Sequence, residues 1–262
     1  MIPVVVPDAR VVAADTAGAY RVLTFASRAI AEGARPGQFV NIAVGDGCGL
    51  LRRPFSVYRV DRTLGTVSVA FDAIGEGTRW LAVRAPDDTI DVVGALGHGF
   101  EVPDPRGADL IVGGGYGSAA LAYLADELAQ RGREVHAILG ARSSDRIFRD
   151  DLIDASCATV TVTTDDGSAG VQGLVTDALP EIARAHDVTT VYACGPNRML
   201  AAVGELCANL GIASQLAVEE FMACGIGVCW TCVLPVRRGD AIAHQRSCTE
   251  GPVFEGAAVA WA

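Results

Sequence analysis

Residues 109–131 read DLIVGGGYGSAALAYLADELAQR, and this stretch decides the fold class. The short apolar run 109–112 predicts a strand, and 119–131 has the composition of a helix. Between them lies a glycine turn, where the phosphates of a nucleotide meet the N–H groups of a helix start in parallel-sheet domains. The pattern is G-G-G-x-G rather than the full G-x-G-x-x-G. Two interpretations therefore remain, a nucleotide site and a simple turn that joins strand to helix. The candidate binding residues are Gly113, Gly114, Gly115 and Gly117.

The chain downstream of this turn keeps alternating between strands and helices. Such alternation predicts an α/β domain, a parallel sheet with helices on both faces. Cys194, Gly195 and Pro196 follow one apolar strand directly, at the carboxyl edge where ligands bind. We expect them beside a nicotinamide ring, and the alternative is a tight turn with a buried cysteine. The predicted strands are 134–139, 159–163, 190–193 and 214–218, and the predicted helices are 171–179, which begins as a turn, and 199–210.

The first hundred residues instead contain short strands separated by turns. We predict strands at 4–6, 11–13, 20–25, 39–44, 55–60 and 67–70. This spacing is typical of an antiparallel β-barrel or a sandwich. The proline-rich run 103–107 separates this region from the α/β domain. We therefore predict domains at 1–104, 105–218 and 219–262.

The third region opens with four cysteines in a distinctive spacing. Residues 219–232 read EEFMACGIGVCWTC, which gives C-x4-C-x2-C, and a fourth cysteine follows after a gap. This is the plant-type arrangement for a [2Fe–2S] cluster. A tetrathiolate zinc site is the alternative, although zinc sites usually pair their cysteines in two knuckles. The predicted metal ligands are Cys224, Cys229, Cys232 and Cys248.

Composition narrows the class of protein further. The chain has 262 residues and a formal net charge of -10, which argues against nucleic acid or an anionic membrane as partner. No apolar run is long enough for a membrane span, and the first ten residues lack the features of a signal peptide. Eight cysteines then indicate a reducing cytoplasm. Of the other cysteines, Cys48, Cys157 and Cys207 are expected to be ordinary buried residues.

Two further segments of the first domain could contact a cofactor. Residues 52–56, Arg-Arg-Pro-Phe-Ser, place arginines where a pyrophosphate could bind, and 75–78, Gly-Glu-Gly-Thr, precede a short helical run. Each is ambiguous alone, since surface arginines are usually solvated. The order of all these motifs resembles the ferredoxin–NAD(P)H reductase superfamily and, within it, the electron-transfer subunits of class 1B dihydroorotate dehydrogenases. The segments that carry the resemblance are 52–56, 75–78, 94–100, 113–117, 164–168, 194–196, 219–232 and 248–254.

The resemblance implies a barrel that binds FAD, an α/β domain that binds NAD(H) and a C-terminal subdomain with a [2Fe–2S] cluster. This sequence departs from the family pattern at two places. Residues 70–72 read Ala-Phe-Asp where the family pattern leads us to expect Tyr-Arg, and Glu250 stands where Asp is more common. The tail 251–254 is expected to fold back on the flavin domain. The implied flavin residues are Arg53, Pro54, Phe55, Ser56, Ala70, Phe71, Asp72, Gly77 and Thr78.

The implied activity is electron transfer between NAD(H), FAD, the cluster and an FMN-containing catalytic subunit that oxidises dihydroorotate, in a heterotetramer of pyrimidine biosynthesis. We expect the chain alone to be inactive on dihydroorotate, because it has no candidate base. Arg142 to Ser144 could hold a 2′-phosphate, but Asp145 opposes it, so we expect NAD rather than NADP. The rivals are a subunit serving a hydrogenase, a sulfur reductase or a ferredoxin–NADP reductase, a stand-alone diaphorase, and a non-catalytic iron–sulfur sensor or scaffold.

Overall fold

The first unit of the computed structural model is a closed six-stranded antiparallel barrel in the order β1-β2-β5-β4-β3-β6. Closure removes the free edges that a sandwich would leave. The structure describes residues 3–45, 47, 49–104 and 107–261, so Cys48 and the centre of the predicted 103–107 break lie outside it. The barrel elements are β1 (Val4–Ala17), β2 (Tyr20–Ala26), α1 (Arg28–Gly33), β3 (Phe39–Ile42), β4 (Arg53–Asp61), β5 (Thr66–Phe71), α2 (Glu76–Ala82) and β6 (Thr89–Leu96).

The barrel corrects two sequence-based expectations. The predicted strands 4–6 and 11–13 are one continuous strand, β1, whose register against β6 shifts between Val6 and Ala9. Strand β6 was not predicted, yet it closes the barrel by pairing with both β1 and β3. The inward side chains of the strands, Val57 and Val69 among them, are fully buried and form the barrel core.

The second unit is a seven-stranded sheet in the order β10-β9-β8-β7-β11-β12-β15, in which β15 is Val253–Glu255. All neighbouring pairs are parallel except the last, as strand–helix alternation predicts. Its elements are β7 (Ala108–Gly114), α3 (Ser118–Gln130), β8 (Val135–Ala141), α4 (Asp151–Ser156), β9 (Thr159–Thr164), β10 (Val171–Gln172), α5 (Val175–Ala185), β11 (Val188–Cys194), α6 (Asn197–Leu210) and β12 (Ala213–Ala217).

Helix α3 joins the barrel to the sheet. It is apolar almost all round, with nine of its thirteen residues buried, which is the pattern of a helix covered on both sides. Tyr123 on this helix packs in the barrel core and donates a hydrogen bond to the carbonyl of Ala34 at 3.0 Å. The barrel and the α/β unit therefore pack against each other through α3, and this packing holds in place the residues on both sides of the crevice between them.

The C-terminal region contains structure that the sequence pattern did not predict. Strands β13 (Val233–Arg238) and β14 (Ala241–Arg246) form an antiparallel hairpin, and β15 (Val253–Glu255) adds an antiparallel edge to the parallel sheet. The tail 251–254 therefore does more than fold back on the flavin domain. It touches the barrel where the His98 N–H donates to the Gly251 carbonyl at 2.6 Å, and then pairs with β12. The domain bounds 1–104, 105–218 and 219–262 remain predictions.

Among the residues that the structure describes, none of the helices combines the length and apolarity that a membrane crossing requires.

Candidate functional site

A cavity of about 440 Å³ opens between the barrel and the sheet. The ends of β4 and β5 form one wall, and the start of α3 together with residues 218–222 forms the other. Ten residues predicted from sequence as cofactor-binding line it: Arg53, Pro54, Phe55, Ser56, Ala70, Phe71, Asp72, Thr78, Gly117 and Cys194. We call it the flavin cavity, after the sequence prediction.

Gly77 lies beside this cavity, against Arg53. A Cβ at Gly77 would lie 3.0 Å from the Arg53 Nε, so a side chain there would push the guanidinium aside by a few tenths of an ångström. Thr78 fixes the same turn, since its Oγ1 accepts the Gly75 N–H at 3.0 Å. The turn therefore presents a guanidinium at the cavity mouth, a group suited to a phosphate.

A second cavity of about 570 Å³ lies at the carboxyl edge of the parallel strands. Gly114, Gly115 and Pro196, which the sequence analysis named as candidate binding residues, line it together with the three arginines Arg142, Arg146 and Arg198. Thr163 also lines it, and its buried Oγ1 has no hydrogen-bond partner among the residues that the structure describes. An unpaired polar atom at a cavity wall is one that a polar ligand can satisfy. We call this the nucleotide cavity.

The glycine turn has a packing role that the sequence left open. A Cβ at Gly117 would lie 2.8 Å from the Cys194 carbonyl oxygen, and one at Gly195 would lie 3.1 Å from the Gly114 Cα. The turn after β7 and the turn after β11 therefore touch backbone to backbone. A Cβ at Gly113 would collide with Ser118. The glycines therefore have a structural role, because they allow the two turns to come into contact, and this role does not depend on a bound nucleotide.

The two cavities share three wall residues: Asp72, Tyr116 and Glu219. Asp72 at the end of β5 forms an ion pair with Arg146 at 2.9 Å, which ties the barrel to the α/β unit. The Tyr116 hydroxyl donates to the Glu219 carboxylate at 2.9 Å. Burial raises the pKa of Glu219 above its ordinary value, and the bond from Tyr116 opposes that rise. Ligands in the two cavities would meet at this wall.

Cys194, the last residue of β11, lines the flavin cavity. It is buried, and burial raises the pKa of its thiol well above the ordinary value. The thiol is therefore neutral, and it acts as a small polarizable contact rather than as a thiolate nucleophile.

The four predicted metal ligands converge in the C-terminal region. Cys224 Sγ accepts N–H bonds from Val228 at 3.3 Å and from Cys229 at 3.4 Å, as sulfur ligands of iron–sulfur clusters commonly do. Burial and the neighbouring Cys232 raise the pKa of Cys248 to about 12. Crowded sulfurs of this kind become thiolates readily when cationic metal offsets their charge. The donor set therefore fits a metal cluster.

The cysteine loop is held by an ionic clamp. Arg246 Nη1 donates to the Gly227 carbonyl at 2.8 Å, and the Arg246 N–H donates to Glu250 Oε2 at 2.8 Å. The bond from Arg246 holds the pKa of Glu250 down at about 2. Glu250, the residue that departs from the expected Asp, thus has a defined role as the anionic half of this clamp.

The cysteine site and the flavin cavity have common walls. Phe39 and Met222 line the flavin cavity, and both also pack in the small apolar cluster that contains Leu96, Cys232 and Cys248. The Asn41 side-chain N–H donates to the Cys224 carbonyl at 3.3 Å, which docks the loop on β3. One layer of side chains separates the two sites.

Sequence reasoning placed most of these residues and missed others. Tyr116, Phe221, Arg146 and Arg198 were not predicted as site residues, and Arg142 was considered only as a contact for a 2′-phosphate. Glu219 was quoted only as part of the cysteine loop. Proximity in sequence to the glycine turn, to Pro196 and to the first cysteine could have found Tyr116, Arg198 and Phe221, whereas no such signal marks Arg146.

The barrel faces the parallel sheet across two adjoining cavities, and the cysteine site adjoins the flavin cavity. This arrangement defines a reductase-type electron-transfer protein. The solved structure of an NADH-dependent reduced ferredoxin-NADP oxidoreductase is similar over 97% of this chain and 90% of its own, with a TM-score of 0.85 and 30% identity. Residues 219–260 match the family model of the iron–sulfur cluster binding domain of dihydroorotate dehydrogenase B.

Two curated relatives are similar over nearly the whole chain. The dihydroorotate dehydrogenase B (NAD(+)) electron transfer subunit of Desulforamulus reducens is 36% identical over 88% of this chain and 89% of its own. The subunit of the same name from Bacillus caldolyticus is 39% identical over 90% of this chain and 91% of its own. The chain belongs to the family of dihydroorotate dehydrogenase B electron transfer subunits.

Proposed function

We propose that this chain carries electrons between NAD(H) and an FMN-containing dihydroorotate dehydrogenase catalytic subunit in pyrimidine biosynthesis. The observation that carries the proposal is the continuity of three sites. The nucleotide cavity shares Asp72, Tyr116 and Glu219 with the flavin cavity, which shares Phe39 and Met222 with the cysteine site. When bound, FAD links two-electron hydride chemistry to single-electron transfer, and a [2Fe–2S] cluster carries one electron at a time.

The groups that line the flavin cavity support FAD as its ligand. Arg53, beside Gly77 and Thr78, offers its guanidinium to the pyrophosphate. The aromatic ring of Phe55 packs against that of Phe71 at 5.2 Å between centroids, which gives the cavity a rigid apolar wall. Pro54, Ser56, Ala70 and Asp72 also line the cavity. These roles rest on the lining and on the family resemblance.

The nucleotide cavity is proposed to hold NAD(H), with Gly113 to Gly117 under the phosphates and Cys194 to Pro196 beside the nicotinamide. Arg142, Arg146 and Arg198 supply positive charge for the phosphates. Asp165 lines the same cavity, and a carboxylate there suits a ribose diol and repels a 2′-phosphate. The Ser143 hydroxyl donates to Asp145 at 2.5 Å, which holds a second carboxylate nearby. We therefore propose NAD rather than NADP, and steady-state kinetics with both nucleotides tests it.

The cysteine loop presents the surface on which the catalytic subunit would dock. Four of its apolar side chains are exposed: Phe221, Ile226, Val228 and Trp230, of which Phe221 is 90% exposed. Exposed apolar side chains grouped in this way are typical of interaction sites. Docking there would bring the partner close to Cys224 and Cys229. A heterotetramer and a cytoplasmic location belong to the proposal, the latter supported by the eight cysteines.

The decisive experiment separates transfer to the partner from reduction by NADH. Cys229→Ser removes one cluster ligand, so NADH-dependent dye reduction is expected to persist while electron transfer to the catalytic subunit is lost. Cys157→Ser is the matched control, since Cys157 lies outside the quartet at the end of α4, and it is expected to retain both activities. Equal loss of both activities in Cys229→Ser would mean that the cluster is mainly structural.

The rival functions have separate readouts. A pull-down that retrieves a dihydroorotate-oxidising flavoprotein supports the proposal, and retrieval of only a hydrogenase, a sulfur reductase or a ferredoxin–NADP reductase overturns the choice of partner. An anaerobic spectrum with iron, sulfide and flavin quantified tests the sensor or scaffold. Absence of flavin bands would favour that reading. Dye reduction without a partner is common to the subunit and to a stand-alone diaphorase, so partner-coupled transfer distinguishes them.

A further inference from the structure

A second group of metal-ligating side chains lies at the opposite end of the parallel strands from the two cavities. It consists of Glu134, just before β8, His136 at the start of β8, and His186 at the end of α5. One ligand atom from each lies within 4.8 Å of the other two. Neither the electron path nor the family resemblance uses these residues.

His136 is the fixed member of the group. Its side chain is only 1% exposed, its Nδ1 lies 2.8 Å from the Thr159 Oγ1, and its Nε2 lies 3.2 Å from the Glu134 carboxylate. The ring is thus held at one nitrogen by a hydroxyl that can either donate or accept. When Thr159 accepts from Nδ1–H, the Nε2 lone pair points toward a carboxylate. In that tautomer Nε2 and the carboxylate are both acceptors, and a cation bound to both would relieve their repulsion; in the other tautomer Nε2–H donates to Glu134.

His186 completes the group from the side. Its ring stacks on that of His136 with centroids 3.7 Å apart and planes tilted by 26°. His186 is half-buried at a helix end, and one of its ring nitrogens lies within 4.8 Å of the ligand atoms of Glu134 and His136, so binding one ion requires the stacked His186 ring to turn out of its present plane.

We propose that Glu134, His136 and His186 bind a divalent cation of the zinc class. Two imidazoles and one carboxylate suit zinc and its late transition-metal neighbours better than magnesium or calcium, and three protein ligands leave a position for water. Thr159 acts as the outer partner that orients His136. The ion would tie the start of β8 to the end of α5 and stabilise the α/β unit. It would not disturb the nucleotide cavity, which is lined by the other end of β8, Gly140 and Ala141.

The test is a calorimetric titration of the flavin- and cluster-loaded protein with Zn²⁺, accompanied by melting curves. The wild type is expected to bind one Zn²⁺ and to melt at a higher temperature with the ion present. His186→Ala and Glu134→Gln are each expected to weaken Zn²⁺ binding about tenfold or more. His244→Ala is the matched control, because His244 lies on the separate hairpin strand β14 and is expected to bind as the wild type does.

Two results would overturn the proposal. One is Zn²⁺ binding of equal affinity and stoichiometry in all four proteins, which would mark an adventitious ion. The other is Zn²⁺ uptake that bleaches the cluster absorption, which would place the ion on the cysteines. Glu134 is 63% exposed, so Glu134→Gln tests binding without disturbing the core. Unchanged NADH-dependent dye reduction in the presence of Zn²⁺ is expected for every protein, since the site is remote from both cavities.

Discussion

Gly225 in the cysteine loop offers a sharp test of how the cluster site is held against the barrel. Its backbone has φ +70°, and a Cβ there would lie 2.5 Å from the Asn41 Nδ2. That same Nδ2 donates to the Cys224 carbonyl. Gly225→Ala therefore strains the backbone and pushes the loop away from β3 at once.

The expected magnitude is the sum of these two effects. A left-handed conformation costs an L-residue about 1–2 kcal/mol. Overpacking against a neighbour adds about 1–3 kcal/mol. Gly239 in the adjacent hairpin has φ +60° and open space around its Cβ position, so Gly239→Ala carries only the first cost. The difference between the two variants measures the contact with Asn41.

The assay is iron and sulfide per chain, together with the ratio of partner-coupled electron transfer to NADH-dependent dye reduction. Gly225→Ala is expected to lose cluster and partner coupling while dye reduction persists, and Gly239→Ala is expected to keep both. Adding Asn41→Ala to Gly225→Ala is expected to restore part of the loss, because it removes the obstructing amide. Iron content and coupling equal to those of Gly239→Ala would refute the reasoning.

Three further predictions concern the buried charges and the flavin cavity. The Arg133 guanidinium is 5% exposed and lies 2.7 Å from Asp109, its only carboxylate partner among the described residues. Asp109→Ala leaves this buried charge without a counter-ion, so the free energy of unfolding in urea is expected to fall by about 3–5 kcal/mol. A fall below about 1 kcal/mol would contradict this account. Arg53→Ala is expected to weaken FAD retention about tenfold in a flavin fluorescence assay, while Arg28→Ala, an exposed arginine paired with a residue of its own helix, leaves it unchanged. Because the folded pKa of Glu219 lies above its ordinary value of 4.5, wild-type stability is expected to fall as pH rises from 4.5 through the folded pKa. Glu219→Gln loses that slope, and parallel stability curves for the two proteins would show that Glu219 does not titrate in this way.

Much of the fold could be predicted from the sequence because local patterns carry it. The strand, turn and helix at 109–131 match β7, the turn and α3, and the helix predicted at 199–210 matches α6. The barrel strand β6 and the hairpin β13–β14 were missed. Strand β6 depends on partners far away in the chain, whereas β13 and β14 pair with each other across the turn at Gly239 and Asp240, a local signal that the sequence analysis did not use. Strand β6 is defined by its pairing with β1 and β3.

The site shows the same division. Arg53, Thr78 and the four cysteines were predictable because their types and spacing match known ligand chemistry. Tyr116 and Glu219 were not predicted, since neither has a distinctive spacing. They become site residues only because α3 and residue 219 meet at the wall between the two cavities.

The sequence by itself determined the α/β class, the strand-rich first domain and the cysteine quartet, because each depends on residue types within a short window. Only the tertiary structure decided that the barrel closes, that β15 joins the parallel sheet and that Phe39 lies between the flavin cavity and the cysteine site. It also showed that the glycines after β7 let two loops touch. The physical reason is that barrel closure, edge pairing and the close approach of loops are contacts between residues far apart in the chain. A pattern within a short window of sequence does not show which distant residues will come into contact.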